Sequence, residues 1–160
     1  MEIHPSLEPV ASLIGTWRGS GRGEYPTIAP FEYTEEITFT DLGKPFLHYA
    51  QRTWSPVGAP MHVETGYLRL PGEGRLELVL AQPTGQTELA EGALVLEAEG
   101  FSAELHSRVV NAASAKTVDA TTRWYRLVGD ELTTRFSMAA VGHPMTHHLS
   151  SVLQPHHTPH

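Results

Sequence analysis

From Gly15 to Tyr25 one face of a strand is almost bare. The segment reads Gly15-Thr16-Trp17-Arg18-Gly19-Ser20-Gly21-Arg22-Gly23-Glu24-Tyr25. Alternate side chains of a strand point to opposite faces. Thr16, Arg18, Ser20, Arg22 and Glu24 therefore form a polar face, while Gly15, Trp17, Gly19, Gly21, Gly23 and Tyr25 form the other. Glycine inside a strand costs stability, so a run of it on the buried side needs a cause. Either the strand bends sharply there, or another group approaches its backbone. A closed β-barrel with an internal ligand would need both.

The rest of the chain agrees with a barrel. Phe31, Tyr33, Ile37 and Phe39 alternate with Glu32, Thr34, Glu36, Thr38 and Thr40, and only Glu35 breaks the period of two. Further strands are expected over 46–54, 62–70, 75–81, 87–91, 93–98, 103–109, 117–127 and 131–140. Tight turns are expected at Asp41-Leu42-Gly43-Lys44-Pro45, Pro71-Gly72-Glu73-Gly74 and Val128-Gly129-Asp130. Before the first strand, Leu7, Val10, Ala11, Leu13 and Ile14 fit a short helix or 3₁₀ turn that Ser6 would cap; Pro9 is tolerated in its first turn. Short strands joined by turns, with no helical periods between them, predict an all-β antiparallel barrel of roughly ten strands, lipocalin- or fatty-acid-binding-protein-like, closed by the N-terminal helix. The whole chain of 160 residues fits one domain, expected over 1–153, with 154–160 as a frayed tail.

Composition excludes several functions. The net charge is −7 with no basic cluster, which argues against sequence-independent nucleic-acid binding. Cysteine is absent, so disulfide scaffolds, thiolate ligands and C-x-x-C-H attachment of a prosthetic group are ruled out. No apolar run reaches membrane-spanning length, and the amino terminus lacks a basic-then-apolar signal region. The expected address is the cytoplasm, by default.

Histidine is the compositional oddity, with ten residues against eleven Lys plus Arg. His147, His148, His156, His157 and His160 crowd the C-terminus. In a strand His147 and His148 point to opposite faces, and His148 would share its face with Thr146, Ser150 and Val152, small residues that leave room for a flat ligand. In a helix it would fall beside Met145 and Val152. Either geometry turns His148 inward, and a hydrogen-bonded core histidine reads equally well. His143 and His147 at i, i+4 lack both a third metal ligand and the glutamate of H-E-x-x-H. Gly19-Ser20-Gly21 lies in a strand, so no nucleophile elbow exists there. The glycines precede neither Lys-Ser/Thr nor a helix, which removes a phosphate loop. His62, at the start of its strand, reads either as a pocket-facing histidine at a barrel mouth or as a rim residue in water. Gly15-x-Trp17 after a short helix is also found in lipocalin-like barrels, where a late arginine stacks over the tryptophan; Arg123, Arg126 or Arg135 would supply it here.

Taken together, Gly15-x-Trp17-x-Gly19-x-Gly21-x-Gly23-x-Tyr25-Pro26-Thr27-Ile28, Phe31-Glu32-Tyr33-x-Glu35-Glu36, Gly43-Lys44-Pro45-Phe46, Pro60-Met61-His62-x-Glu64-x-Gly66-Tyr67-Leu68-Arg69, Glu77-Leu78-Val79-Leu80-Ala81-Gln82-Pro83-Thr84-Gly85 and His148-Leu149-x-x-x-Leu153 make the chain resemble a nitrobindin. That is a family of small haem-binding β-barrels, and the resemblance spans essentially the whole chain. It implies one non-covalent haem b per chain, with His148 as the axial ligand through Nε2. It also implies Thr27 at the haem rim, His62 on the haem's open side as a candidate catalytic residue, and Lys116 beside a propionate. Gly15, Trp17, Gly19 and Gly21 become the cofactor-binding motif. The implied activity is ferric: binding nitric oxide and converting peroxynitrite to nitrate, those small molecules being the partners, with no nucleic acid or membrane. A non-catalytic carrier of haem or another apolar ligand is the alternative that the same fold would serve. The His-rich ending departs from the basic one the family would lead one to expect.

Overall fold

The computed structural model describes residues 2–157. A 3₁₀ helix spans Pro5–Leu13, and ten strands follow: β1 Gly15–Tyr25, β2 Ile28–Lys44, β3 Phe46–Trp54, β4 Pro60–Gly72, β5 Arg75–Ala81, β6 Gln86–Glu97, β7 Gly100–Asn111, β8 Val118–Val128, β9 Glu131–Ala140 and β10 Thr146–Pro155. Each strand pairs antiparallel with the next, and β10 returns to β1, so the sheet closes into an up-and-down barrel with no free edge. The closing seam runs from Trp17 opposite Pro155 to Gly23 opposite Leu149.

Three departures from the sequence reading have local causes. The segments 87–91 and 93–98 are one strand, because Gly92 does not break the chain. A Cβ there would lie 1.9 Å from the Glu104 carbonyl oxygen, so glycine is what lets β6 and β7 stay paired. The ladder also continues past residue 153 to Pro155, and the His156 N–H donates to the Thr16 carbonyl at 2.8 Å. Of the expected tail, 158–160 lie outside the described residues. Finally, His4, not Ser6, caps the helix: its Nδ1 accepts the Ser6 N–H at 3.2 Å.

The barrel interior has two ends of different chemistry. Leu7, Val10 and Leu13 of the 3₁₀ helix pack over Trp17, and with Phe39, Leu76, Leu78, Phe101, Leu127, Leu132 and Leu153 they fill the closed end. Trp17 Nε1–H donates to the Leu13 carbonyl at 2.8 Å, which fixes the helix to the barrel. Among the described residues no arginine stacks over Trp17. Arg123 lies over Phe136 at 4.8 Å, Arg135 over Trp124 at 4.6 Å, and Arg126 pairs with Glu97 on the surface. The hydrogen bond to Leu13 and the packed helix take the role expected of the arginine. The opposite end is open.

Candidate functional site

The open half of the barrel encloses a cavity of about 650 Å³, in the size range of small-molecule sites. Its mouth is lined by Thr27, Ile28, Met61, His62, Gln82, Lys116 and Val141, and its wall by Tyr25, Phe31, Tyr33, Phe136 and His148. Thr27 and Lys116 are exposed at the rim. Lys116 is further tied by its carbonyl, which accepts the Gln86 Nε2–H at 2.9 Å.

His148 reaches the cavity through an irregularity. The β10–β9 register slips between His147 and Leu149, so His148 is the extra residue of a β-bulge. Both His148 and Leu149 line the cavity, while Val152 is exposed and Ser151 and Leu153 are buried. The expectation that His148 shares its face with Ser150 and Val152 therefore fails; the bulge re-aims it. Three rings surround the imidazole: Tyr25 at 5.3 Å, Phe136 at 6.1 Å and Phe31 at 6.3 Å between centroids. Tyr25 is itself anchored, donating to the Met138 carbonyl and accepting the Ala140 N–H.

The backbone carbonyl of Glu24, 2.9 Å from His148 Nδ1, only accepts hydrogen bonds. Nδ1 therefore carries the proton and Nε2 keeps its lone pair. Burial pushes this imidazole below the ordinary histidine range, although the bond to Glu24 opposes the shift. His148 is thus held neutral, in the tautomer that a metal ligand at Nε2 requires.

The glycine motif supports this wall without lining it. None of Gly15, Trp17, Gly19 and Gly21 borders the cavity. Gly15 and Trp17 lie at the closed end, and Gly15 has φ +128°. Gly21 sits opposite Tyr33 and Gly23 opposite Phe31. A Cβ at Gly21 would lie 2.4 Å from Tyr33 Cζ, and one at Gly23 would lie 2.1 Å from Phe31 Cζ. What approaches the bare face is thus a pair of rings from β2, laid across β1, and those rings line the cavity. Gly19 serves the seam, since its Cβ would meet the Val152 carbonyl oxygen at 2.0 Å.

The same cavity is also lined by a belt of buried polar groups, among them Glu35, Gln51, Glu64, Thr121 and Arg123, whose meeting the sequence reading did not foresee. Glu35, the residue that breaks the β2 alternation, points inward and is buried. It accepts from Gln51 Nε2 at 2.8 Å and from Ser151 Oγ at 2.5 Å. Burial nevertheless pushes its carboxyl above the usual range. Arg123 donates through Nη1 to Glu64 Oε2 at 2.9 Å and through Nη2 to Glu88 Oε2 at 2.6 Å. Thr121 donates to the other Glu88 oxygen, and Tyr49 OH donates to Glu64 Oε2 at 2.8 Å. Burial works against ionisation of Glu64, but Arg123 first, then His62 and Tyr49, outweigh it and bring its pKa to about 2. His62 is joined to the belt, its Nε2 lying 3.0 Å from Glu64 Oε1. Each of these acids stands at an inward phase of its strand, a signal visible in the sequence as a charge on an apolar face.

A ten-stranded barrel with aromatic side chains around its cavity, and one neutral imidazole turned into it whose Nε2 has no hydrogen-bond partner among the described residues, is an arrangement that would suit a flat metal macrocycle. Residues 6–154 match the model of the THAP4-like, heme-binding beta-barrel domain. The chain is 49% identical over 155 residues to peroxynitrite isomerase 2 of Mycobacterium marinum, covering 96% of each chain. It is 48% identical over 154 residues to peroxynitrite isomerase of Nocardia farcinica, covering 95% of this chain and 92% of the relative. The crystal structure of Rv2717c from M. tuberculosis superposes with a TM-score of 0.95 at 43% identity, over 98% of this chain and all of the other. The chain belongs to the THAP4-like haem-binding β-barrel family, as the nitrobindin resemblance implied, and haem is its expected cofactor.

Proposed function

We propose that this protein holds one haem b through His148 Nε2 and isomerises peroxynitrite to nitrate. The observation that carries the reading is the bulged His148, with its tautomer set by the Glu24 carbonyl and its ring boxed by Tyr25, Phe31 and Phe136. The relatives named peroxynitrite isomerase support the choice of substrate. Haem, when bound, supplies the redox-active iron that carries the O–O chemistry. The residues of this chain do the rest. His148 offers a neutral nitrogen, and the aromatic wall excludes water from around it. Lys116 and Thr27 stand at the rim, where a cation and a hydroxyl suit carboxylate groups reaching toward solvent. His62 lines the same cavity and is the candidate to exchange a proton with substrate. Nitric oxide, small and neutral, is a second ligand for the same site. A reducing compartment such as the cytoplasm suits a chain without cysteine, and no helix among the described residues is long and apolar enough to cross a membrane.

The test has two readouts. His148→Ala removes the Soret band of purified protein or strongly weakens haem retention, whereas His147→Ala does not. Stopped-flow decay of peroxynitrite accelerates in proportion to holoprotein, and not to apoprotein or to His148→Ala. Retention of the Soret band without His148 overturns the ligand assignment. Equal decay with holo and apo protein overturns the isomerase and leaves a haem carrier.

A further inference from the structure

His62 has two ring nitrogens, and the fold has committed one of them. Nε2 lies 3.0 Å from Glu64 Oε1, and Glu64 is buried. The other Glu64 oxygen, Oε2, accepts from Tyr49 OH and Arg123 Nη1, and Arg123 Nη2 lies a further 3.4 Å from Oε1. The carboxyl is thus ionised across the physiological range, and an ionised carboxylate only accepts. The proton shared between the two residues therefore belongs to His62 Nε2. The His62 backbone is held as well, since its N–H donates to Thr53 Oγ1 at 3.0 Å. Nδ1 has no hydrogen-bond partner among the described residues, and the ring borders the cavity.

We infer that Glu64 is a positioning residue that fixes His62 as the Nε2–H tautomer, so that Nδ1 is the nitrogen offered to substrate and takes the proton of peroxynitrous acid. The inference rests on the isomerase reading for its substrate. In the neutral ring Nδ1 is a lone pair, which suits the protonated acid and not the anion. The step is a plain proton transfer. The substrate O–H bond breaks, an Nδ1–H bond forms, and the peroxynitrite anion keeps the electron pair. The imidazolium is then paired with Glu64, whose own charge Arg123 has already made permanent. Nitrate leaves as the anion of a strong acid, and Nδ1 returns its proton to water at the mouth, where the His62 side chain is 32% exposed. The wider consequence is that Arg123 and Glu88, on β8 and β6, set the tautomer of a mouth histidine on β4 through a single carboxylate.

The tautomer can be read without turnover. Long-range ¹⁵N–¹H correlation spectra of selectively ¹⁵N-histidine-labelled apoprotein, assigned with His62→Ala, are expected to show protonated Nε2 and bare Nδ1 at His62. A bare Nε2 in the parent protein overturns the inference outright, and needs no variant that might fail to fold. Glu64→Gln, whose amide can both donate and accept, is expected to mix the tautomers and slow peroxynitrite decay by roughly tenfold to a hundredfold, at or below the ordinary size of general acid–base effects, with the Soret band retained. In a His62→Ala background the same Glu64→Gln change is expected to have no further effect on the rate. An undiminished rate in Glu64→Gln, or an equal loss with and without His62, overturns the positioning role while leaving the isomerase intact. If holoprotein is no faster than apoprotein, the isomerase reading fails and the substrate step falls with it; the spectra still decide whether Glu64 sets the tautomer.

Discussion

Replacing Gly21 with alanine tests whether the bare face of β1 exists to carry the rings of β2. The new Cβ would stand 2.4 Å from Tyr33 Cζ, 2.6 Å from Tyr33 Oη and 2.7 Å from the Ser150 carbonyl oxygen. Carbon atoms rest at about 3.5–4.0 Å, so the ring must retreat by roughly 1 Å. Overpacking of that size costs about 1–3 kcal/mol. The retreat also breaks the bond from Tyr33 OH to the Ser150 carbonyl, 3.3 Å long, which adds about 1 kcal/mol. The expected loss is therefore about 2–4 kcal/mol, or a fall in Tm of roughly 10 °C for a chain of this size. Urea unfolding of the apoprotein measures it directly. The decisive comparison is a double-mutant cycle. In a Tyr33→Ala background the cost of Gly21→Ala should drop by at least about 1 kcal/mol, because the two nearest obstructing atoms, Cζ and Oη of Tyr33, are gone. A loss within about 0.5 kcal/mol in the parent background, or an unchanged loss without the Tyr33 ring, refutes the reasoning.

Two further outcomes follow from the buried belt. Arg123→Met leaves Glu64 and Glu88 without their cation and should cost about 3–5 kcal/mol in urea unfolding; adding Glu64→Gln and Glu88→Leu should recover most of it. The two acids also respond to pH with opposite signs. Glu64 is depressed from 4.5 to about 2, so its contribution is present above the ordinary carboxylate pKa and disappears as pH falls through about 2, a difference of roughly 3 kcal/mol. Glu35 is raised, so its contribution is full below the ordinary pKa and is lost as pH rises through its folded value. Unfolding free energy measured against pH should lose its acid limb in Glu64→Gln and fall less steeply on its upper side in Glu35→Gln; parallel curves for parent and variants would contradict both assignments.

Much of the architecture is local and therefore legible. Period-two alternation, punctuated by turns such as Pro71-Gly72-Glu73-Gly74 and Val128-Gly129-Asp130, specifies short antiparallel strands whatever surrounds them, and the observed ladder of ten follows. The glycine comb likewise announced a close approach to β1. It could not say that the visitors are Tyr33 and Phe31, because that depends on the β1–β2 register.

The site was decided at longer range. His148 points inward because β10 carries one residue more than β9 at that point, a property of two strands paired together and not of the residues around His148. Its tautomer comes from the Glu24 carbonyl, 124 residues away along the chain. Glu35 appeared in the sequence as a flaw in an apolar rhythm. Glu64 and Glu88 showed only as charges at inward phases of their strands, and Arg123 as one of three candidates to stack over Trp17. Only the curved sheet of the barrel brings Glu64, Glu88 and Arg123 from β4, β6 and β8 to within hydrogen-bond reach, where all three are buried and each charge must find its counterpart. The sequence by itself determined which residues alternate and where the chain turns, since neighbouring residues settle both. The tertiary structure decided which charges meet and which ring nitrogen of His62 and His148 is engaged by the protein, since pairing across the sheet settles those.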